Sequence, residues 1–287
     1  MTDSPLRRLP GFGQSPWLDF IQRGLIESGE LARLIERFGL RGITSNPVIL
    51  EQAITKTGDY DAEIARLAVL GRTAVEIYEM LALADVRAAA DLFLPLYRES
   101  NGADGFVSLE VSPLLARDTA GTIAEARRLW AALDRPNAMI KVPGTTEGLE
   151  AIRALLVDGV NVNVTLLFSV ARYREVFQTY LDAVGLAAEV GRPVATIASV
   201  ASFFLSRIDT LVDAEIERAS SCGTDVAALR GTAAVASARI AYRDFEEIWT
   251  GDQARRLAAL GARPQRLLWA STGTKDSSYS DTKYVEP

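Results

Sequence analysis

The 287 residues contain no histidine at all. That one absence removes the Ser-His-Asp triad, the Cys-His dyad and every histidine-ligated metal site. There is one cysteine, Cys222. It has no partner for an internal disulfide and is too few for a thiolate zinc site, and it fits a cytoplasmic protein. Proton transfer therefore falls to Asp, Glu, Lys, Tyr or that cysteine. No apolar run reaches the roughly 18 residues that a membrane span requires. The opening stretch, "MTDSPLRRLPGFGQSPWL", lacks the apolar core of a secretory signal. Its "GFG" is too short to suggest a nucleotide loop. The net charge is −6, so a nucleic-acid surface, which needs massed Lys and Arg, is not expected. Low-complexity segments and short solenoid-type repeats are missing too.

What is present is a large apolar fraction, 48%, in an alternating pattern. Strand-like runs occur at "PWLDFI" (16–21), "GIT" (42–44), "GFVSLEV" (105–111), "AMIKV" (138–142), "VNVNVT" (160–165), "VATIASV" (194–200) and "RLLWAS" (266–271). Longer stretches with 3.6-residue periodicity separate them, such as "TTEGLEAIRALLVDG" and "SVARYREVFQTYLDAVGLAAEVG". Strand–helix alternation predicts a parallel sheet with helices outside it. Polar residues gather at the C-terminal ends of the strands: Asp19, Thr44 with Asn46, Glu110, Lys141, Asn163 with Thr165, and Ser271. A barrel collects such ends at one mouth, where barrel enzymes keep their active sites. The expectation is a single (β/α)8 TIM-type domain over residues 1–287 with seven strands visible. The last strand and C-terminal helices read as missing: the chain is a fragment, part of a longer polypeptide, or a barrel closed differently.

Several of these residues admit two readings. Lys141 shares a strand face with Met139, while Ala138, Ile140 and Val142 take the other. Pointing inward and stripped of water, its amine favours the neutral form, which attacks carbonyls to give Schiff bases. It reads equally as a rim lysine paired with a carboxylate. Glu110 is a general acid/base or the partner that neutralises Lys141. Asp19 takes a proton from a substrate hydroxyl, or serves as a turn or capping aspartate. Asn46, just before Pro47, has the signature of a helix N-cap. Asn161, Asn163 and Thr165 alternate along one face and suggest a polar lumen, with Thr165 able to hold a water. "SFFLSRIDTLVD" (202–213) and "WASTGTK" (269–275) suit an oxyanion, bound by backbone N–H groups and by Arg207. Arg207 reads as well as the partner of Asp209 or Asp213. "WASTGTK" does not have Walker A spacing.

Taken together, "SPWLDFI", "GLRGITSNPVILEQAI", "IKVPGTTEGLEAI", "NVNVTLLFSVARYREV", "SFFLSRIDTLVD" and "LLWASTGTKDSSYSDTKYV" resemble the transaldolases, Schiff-base enzymes of the pentose phosphate pathway. The resemblance implies an α/β barrel and no metal or organic cofactor. It implies Lys141 as the Schiff-base lysine, Glu110 and Thr165 as holders of the catalytic water, and Asp19 as the base for the donor's C4 hydroxyl. Asn46 and Asn163 would bind the dihydroxyacetone unit, with Ser202 nearby and Thr44 among the substrate-binding residues, and Arg207 and Ser271 would bind the sugar phosphate. Many transaldolases have an arginine two residues after the counterpart of Ser271. Here that position is Gly273, and Lys275 is expected to supply the charge. The substrates would be small sugar phosphates: sedoheptulose 7-phosphate as donor and glyceraldehyde 3-phosphate as acceptor. The helical exterior permits a homodimer. Two rivals stand beside this reading: a fructose-6-phosphate aldolase, whose members typically carry tyrosine in place of the glutamate, and a truncated, non-catalytic sugar-phosphate-binding barrel.

Overall fold

The computed structural model describes residues 4–221 and 226–285, so Cys222 falls outside the described residues. The chain divides into two compact units, Met1–Lys141 and Val142–Pro287, with the boundary inside a strand. Strand order is chain order, β1 to β7, and the paired strands run parallel, which is an α/β fold of TIM type.

The first unit runs β1 (Trp17–Asp19), α1 (Arg23–Glu27), α2 (Glu30–Phe38), β2 (Gly42–Thr44), α3 (Pro47–Lys56), α4 (Asp61–Val69), α5 (Ala74–Glu99), β3 (Phe106–Glu110), α6 (Thr119–Leu133) and the start of β4 (Ala138–Pro143). The register sets Asp19 opposite Thr44, Thr44 opposite Ser108, and Glu110 opposite Lys141. Residues paired across a ladder point the same way, so this register decides which polar side chains meet. Val107, Leu109, Ala138 and Ile140 are buried, as are Val86, Ala89, Ala90 and Phe93 of α5. Near-continuous apolar burial is the mark of a parallel strand covered on both faces. The α5–β3 turn needs glycine at 105. Its φ is +86°, and a Cβ there would lie 2.8 Å from Tyr97 N and 2.9 Å from Phe93 O. Asn137 fastens the entry to β4, its amide donating to the carbonyls of Ala90 and Gly105, each at 2.8 Å.

The second unit carries the end of β4, then α7 (Thr146–Val157), β5 (Val162–Leu167), α8 (Val170–Glu189), β6 (Ser199–Phe204), α9 (Ser206–Ser221), α10 (Ala233–Trp249), α11 (Asp252–Ala259) and β7 (Arg266–Ala270). Gly144 N donates to Thr165 O at 2.8 Å, tying the chain just after β4 to β5. Ala151, Ile152, Leu155 and Leu156 of α7 and Val176, Phe177, Tyr180 and Val184 of α8 are buried with Val162, Val164 and Leu167. Helices α7 and α8 start where strands have just ended, each behind a capping side chain. Thr145 Oγ1 accepts from Gly148 N at 2.9 Å, and Ser169 Oγ from Arg172 N at 3.3 Å.

The sequence-predicted strands at 42–44, 105–111, 138–142 and 266–271 appear within a residue or two of their expected limits. "VATIASV" does not form the expected strand over 194–200. Val194–Thr196 is a 3₁₀ turn, and β6 starts at Ser199 and runs to Phe204. Pro193 has no N–H for a ladder and a restricted φ, and its carbonyl accepts from both Thr196 N and Thr196 Oγ1, which closes the turn. This shift explains why the sixth run alone showed no polar residue at its end: Ser202 lies inside the strand. Seven strands are found among the described residues, the number read from the sequence.

"PGTTEG" has a steric reason. A Cβ at Gly148 would lie 2.0 Å from Pro143 O, so the first turn of α7 lies directly on the end of β4. Gly148→Ala is expected to lower stability by about 1–3 kcal/mol, since backbone must shift to admit the methyl group. Urea denaturation checks this, and an unchanged midpoint would show that α7 moves aside freely.

Candidate active site

In the first unit the register brings four candidate residues into two pairs. Asp19 ends β1 exposed, and its Oδ1 accepts from Thr44 Oγ1 at 2.6 Å. It does not cap α1, whose N-cap is Gln22. Lys141 is 5% exposed on an otherwise apolar strand. Its Nζ lies 3.0 Å from Glu110 Oε2 and donates to Ser45 O at 3.1 Å. Ser45 is fixed in turn, its hydroxyl donating to Ser108 O at 2.7 Å. The amine thus faces one carboxylate and one carbonyl, both acceptors. A carboxylate this close removes the charge penalty of burial and can also receive a proton directly from the amine. Asn46 fulfils the capping reading: Oδ1 accepts from Ile49 N at 3.0 Å, with Pro47 as the first helical residue. That bond uses the oxygen and leaves the amide N–H groups out of the cap.

In the second unit, Asn163 and Thr165 are fully buried on one face of β5. Ser202 Oγ donates to Asn163 Oδ1 at 2.7 Å, which orients the amide with its nitrogen away from the serine. The Thr165 hydroxyl is buried with no hydrogen-bond partner among the described residues. A buried hydroxyl without a partner is costly unless something supplies one. Asn161 leaves this set; its Oδ1 accepts from Ala198 N at 2.9 Å in the turn before β6. A bulge interrupts the β5–β6 register between Val164 and Leu167, and Leu166 takes a left-handed φ of 62°. The alternation breaks there, with Leu166 exposed and Leu167 buried.

Ser271 stands just past β7 with a left-handed φ of 55°. Its carbonyl accepts from Ser206 N at 3.1 Å, and the two serine hydroxyls are 2.8 Å apart, so it is stitched to the first residue of α9. Arg207 follows, exposed, its guanidinium 5.0 Å from the centroid of the Phe204 ring. Phe204 in turn lies 5.2 Å from the Phe168 ring. Of the two readings of Arg207, the pairing with Asp209 or Asp213 is not formed among the described residues; both carboxylates bind other donors. Lys275 is exposed in a cleft of about 390 Å³ whose walls include Asp209, Asp213 and Asp276.

Sequence reasoning missed Ser45, whose contribution is a backbone carbonyl and left no mark in the residue pattern. It missed Tyr78 as well. Burial first, and then the charges of Glu110 and Glu51, push this phenol's pKa up to about 12, so it stays protonated. Its position on a long amphipathic helix hid it. Among the described residues no helix is long and apolar enough to cross a membrane.

A family profile described as Transaldolase/Fructose-6-phosphate aldolase matches residues 16–287. The chain is 50% identical to a curated transaldolase of Saccharopolyspora erythraea over 285 residues, 99% of this chain and 76% of that protein. It is 46% identical to one from Trichodesmium erythraeum over 292 residues, covering 100% of this chain and 77% of that protein. With a transaldolase of Thermobifida fusca it shares 50% identity over 283 residues, 98% of this chain and 76% of the relative.

Proposed function

Because the chain belongs to the transaldolase/fructose-6-phosphate aldolase family, we propose that it transfers a three-carbon dihydroxyacetone unit from sedoheptulose 7-phosphate to glyceraldehyde 3-phosphate through a Schiff base on Lys141. The single observation that supports this best is the buried amine of Lys141 beside Glu110. In this reading the neutral amine adds to the donor's C2 carbonyl, and water leaves to give the imine. Glu110 accepts the amine's proton and returns it to the departing hydroxyl. Asp19 removes the C4 hydroxyl proton. The C3–C4 bond breaks, its electrons flow to the imine nitrogen, and erythrose 4-phosphate departs. The enamine then attacks the acceptor's aldehyde carbon, and hydrolysis frees fructose 6-phosphate and the amine. The Thr165 hydroxyl holds the water consumed in that last step.

Thr44 orients Asp19 through their hydrogen bond. The amides of Asn46 and Asn163 bind the dihydroxyacetone hydroxyls, with Ser202 fixing Asn163. Arg207 and Ser271 take the phosphate, and Lys275 adds charge there. Arg207 suits this role because Asp209 and Asp213 are bonded elsewhere. We read residues 1–287 as one barrel domain of a cytoplasmic enzyme. The aldolase alternative is not favoured by relatives that are transaldolases at about half identity.

Borohydride reduction in the presence of fructose 6-phosphate, followed by peptide mass mapping, tests the assignment. A three-carbon adduct is expected on Lys141. An adduct on another lysine, or none, would overturn it.

A further inference from the structure

Helix α9 carries two aspartates one turn apart, Asp209 and Asp213, both buried. A buried carboxylate is tolerated only when its oxygens are satisfied. Here the satisfaction is divided in a consistent way. One oxygen of each binds the backbone leading into α10: Asp213 Oδ1 accepts from Gly231 N, and Asp209 Oδ1 from Ala234 N, both at 2.7 Å. The other oxygen of each binds the segment after β7. Asp213 Oδ2 accepts from Tyr279 OH at 2.7 Å, and Asp209 Oδ2 from Lys283 Nζ at 2.9 Å and Tyr284 OH at 2.8 Å. Lys283 Nζ also lies 3.4 Å from the centroid of the Tyr279 ring, so the three side chains lock one another. Burial, and then the bond to Asp213, push the Tyr279 pKa up to about 12, which keeps it a donor. Arg230 adds an ion pair to Asp276 of the same segment.

Both candidate phosphate residues lie near this arrangement along the chain. Arg207 lies two residues before Asp209 on α9. Ser271 precedes the fastened segment and is itself stitched to Ser206. Without the two carboxylates, the segment from 276 to 285 keeps the Arg230–Asp276 pair but loses its bonds to α9.

We propose that Asp209 and Asp213 are positioning residues that clamp the segment after β7 onto α9 and so set the spacing of Arg207 and Ser271 for a phosphate monoester. This rests on the reading of those two residues as the phosphate subsite. It predicts a defect confined to phosphorylated substrates. The test uses two variants, Asp209→Asn and the double variant Lys283→Met with Tyr284→Phe, the second removing both donors to Asp209 Oδ2 without altering α9. Steady-state kinetics are compared for glyceraldehyde 3-phosphate and for unphosphorylated glyceraldehyde as acceptor. In both variants KM for the phosphorylated acceptor is expected to rise about tenfold, the size of one charge-assisted hydrogen bond, with kcat nearly unchanged. KM for glyceraldehyde should stay as it is. Equal rises for both acceptors, or no rise for either, would overturn the clamp. Borohydride trapping of dihydroxyacetone on Lys141 is run alongside, since it needs no phosphate. A Lys141 adduct without phosphate-selective KM changes defeats the clamp alone. No adduct in the unsubstituted protein defeats the functional reading and the clamp with it.

Discussion

Lys141→Arg is expected to fold normally and to lose transfer activity by about 10⁴-fold or more. The substitution keeps a positive charge opposite Glu110, so the buried carboxylate retains a partner. A guanidinium does not give up its proton near neutral pH, so no nucleophile forms. Lys141→Ala should be as inactive but also less stable, because Glu110 is then left without its cation. Circular dichroism, thermal unfolding and a coupled assay of fructose 6-phosphate formation separate the two effects. Substantial activity in the arginine variant would rule out imine chemistry at this position, whatever the fate of the fold.

Glu110→Gln should reduce transfer by about 10²–10⁴-fold, the range for losing a positioned acid/base. The amide still accepts a hydrogen bond from Lys141 Nζ but does not take its proton. The step that suffers is imine formation, so the rate of borohydride-trappable adduct should fall in parallel with turnover. If only thermal stability changed while trapping and turnover held steady, Glu110 would be an ion-pair partner and nothing more. The structure places the two groups 3.0 Å apart, which serves either role, and only the kinetics separate them.

The parallel α/β fold was legible because its signal is periodic. Buried strands, spaced helices and polar strand ends all repeat, and repetition survives errors at single boundaries. The pairs at Asp19–Thr44 and Glu110–Lys141 were half legible: the residue types stood out, but their pairing needed the strand register. The sixth strand was misplaced because Val194, Ala195 and Ile197 look like strand residues, whereas Pro193 and a local hydrogen-bonded turn override that preference. Arg207 was ambiguous for a different reason. Nothing in "SRIDTLVD" tells whether its aspartates face the neighbouring arginine or donors about 70 residues later, such as Lys283, which is 74 positions from Asp209. Ser45 had no signature, since a backbone carbonyl belongs to every residue.

Two non-glycine residues in the left-handed backbone region, Leu166 and Ser271, adjoin or occupy candidate site positions. Each holds a conformation that disfavours a side chain by roughly 1–2 kcal/mol. A laboratory search for heat-resistant forms of this chain would meet glycine at both positions as a gain in backbone comfort. At 271 the same change deletes the hydroxyl that meets Ser206. At 166 it loosens the bulge that ends the polar face of β5 beside Thr165. Thermal tolerance and transfer activity are therefore expected to pull against each other at these two positions, and a screen that rewards only survival on heating would drift away from the enzyme.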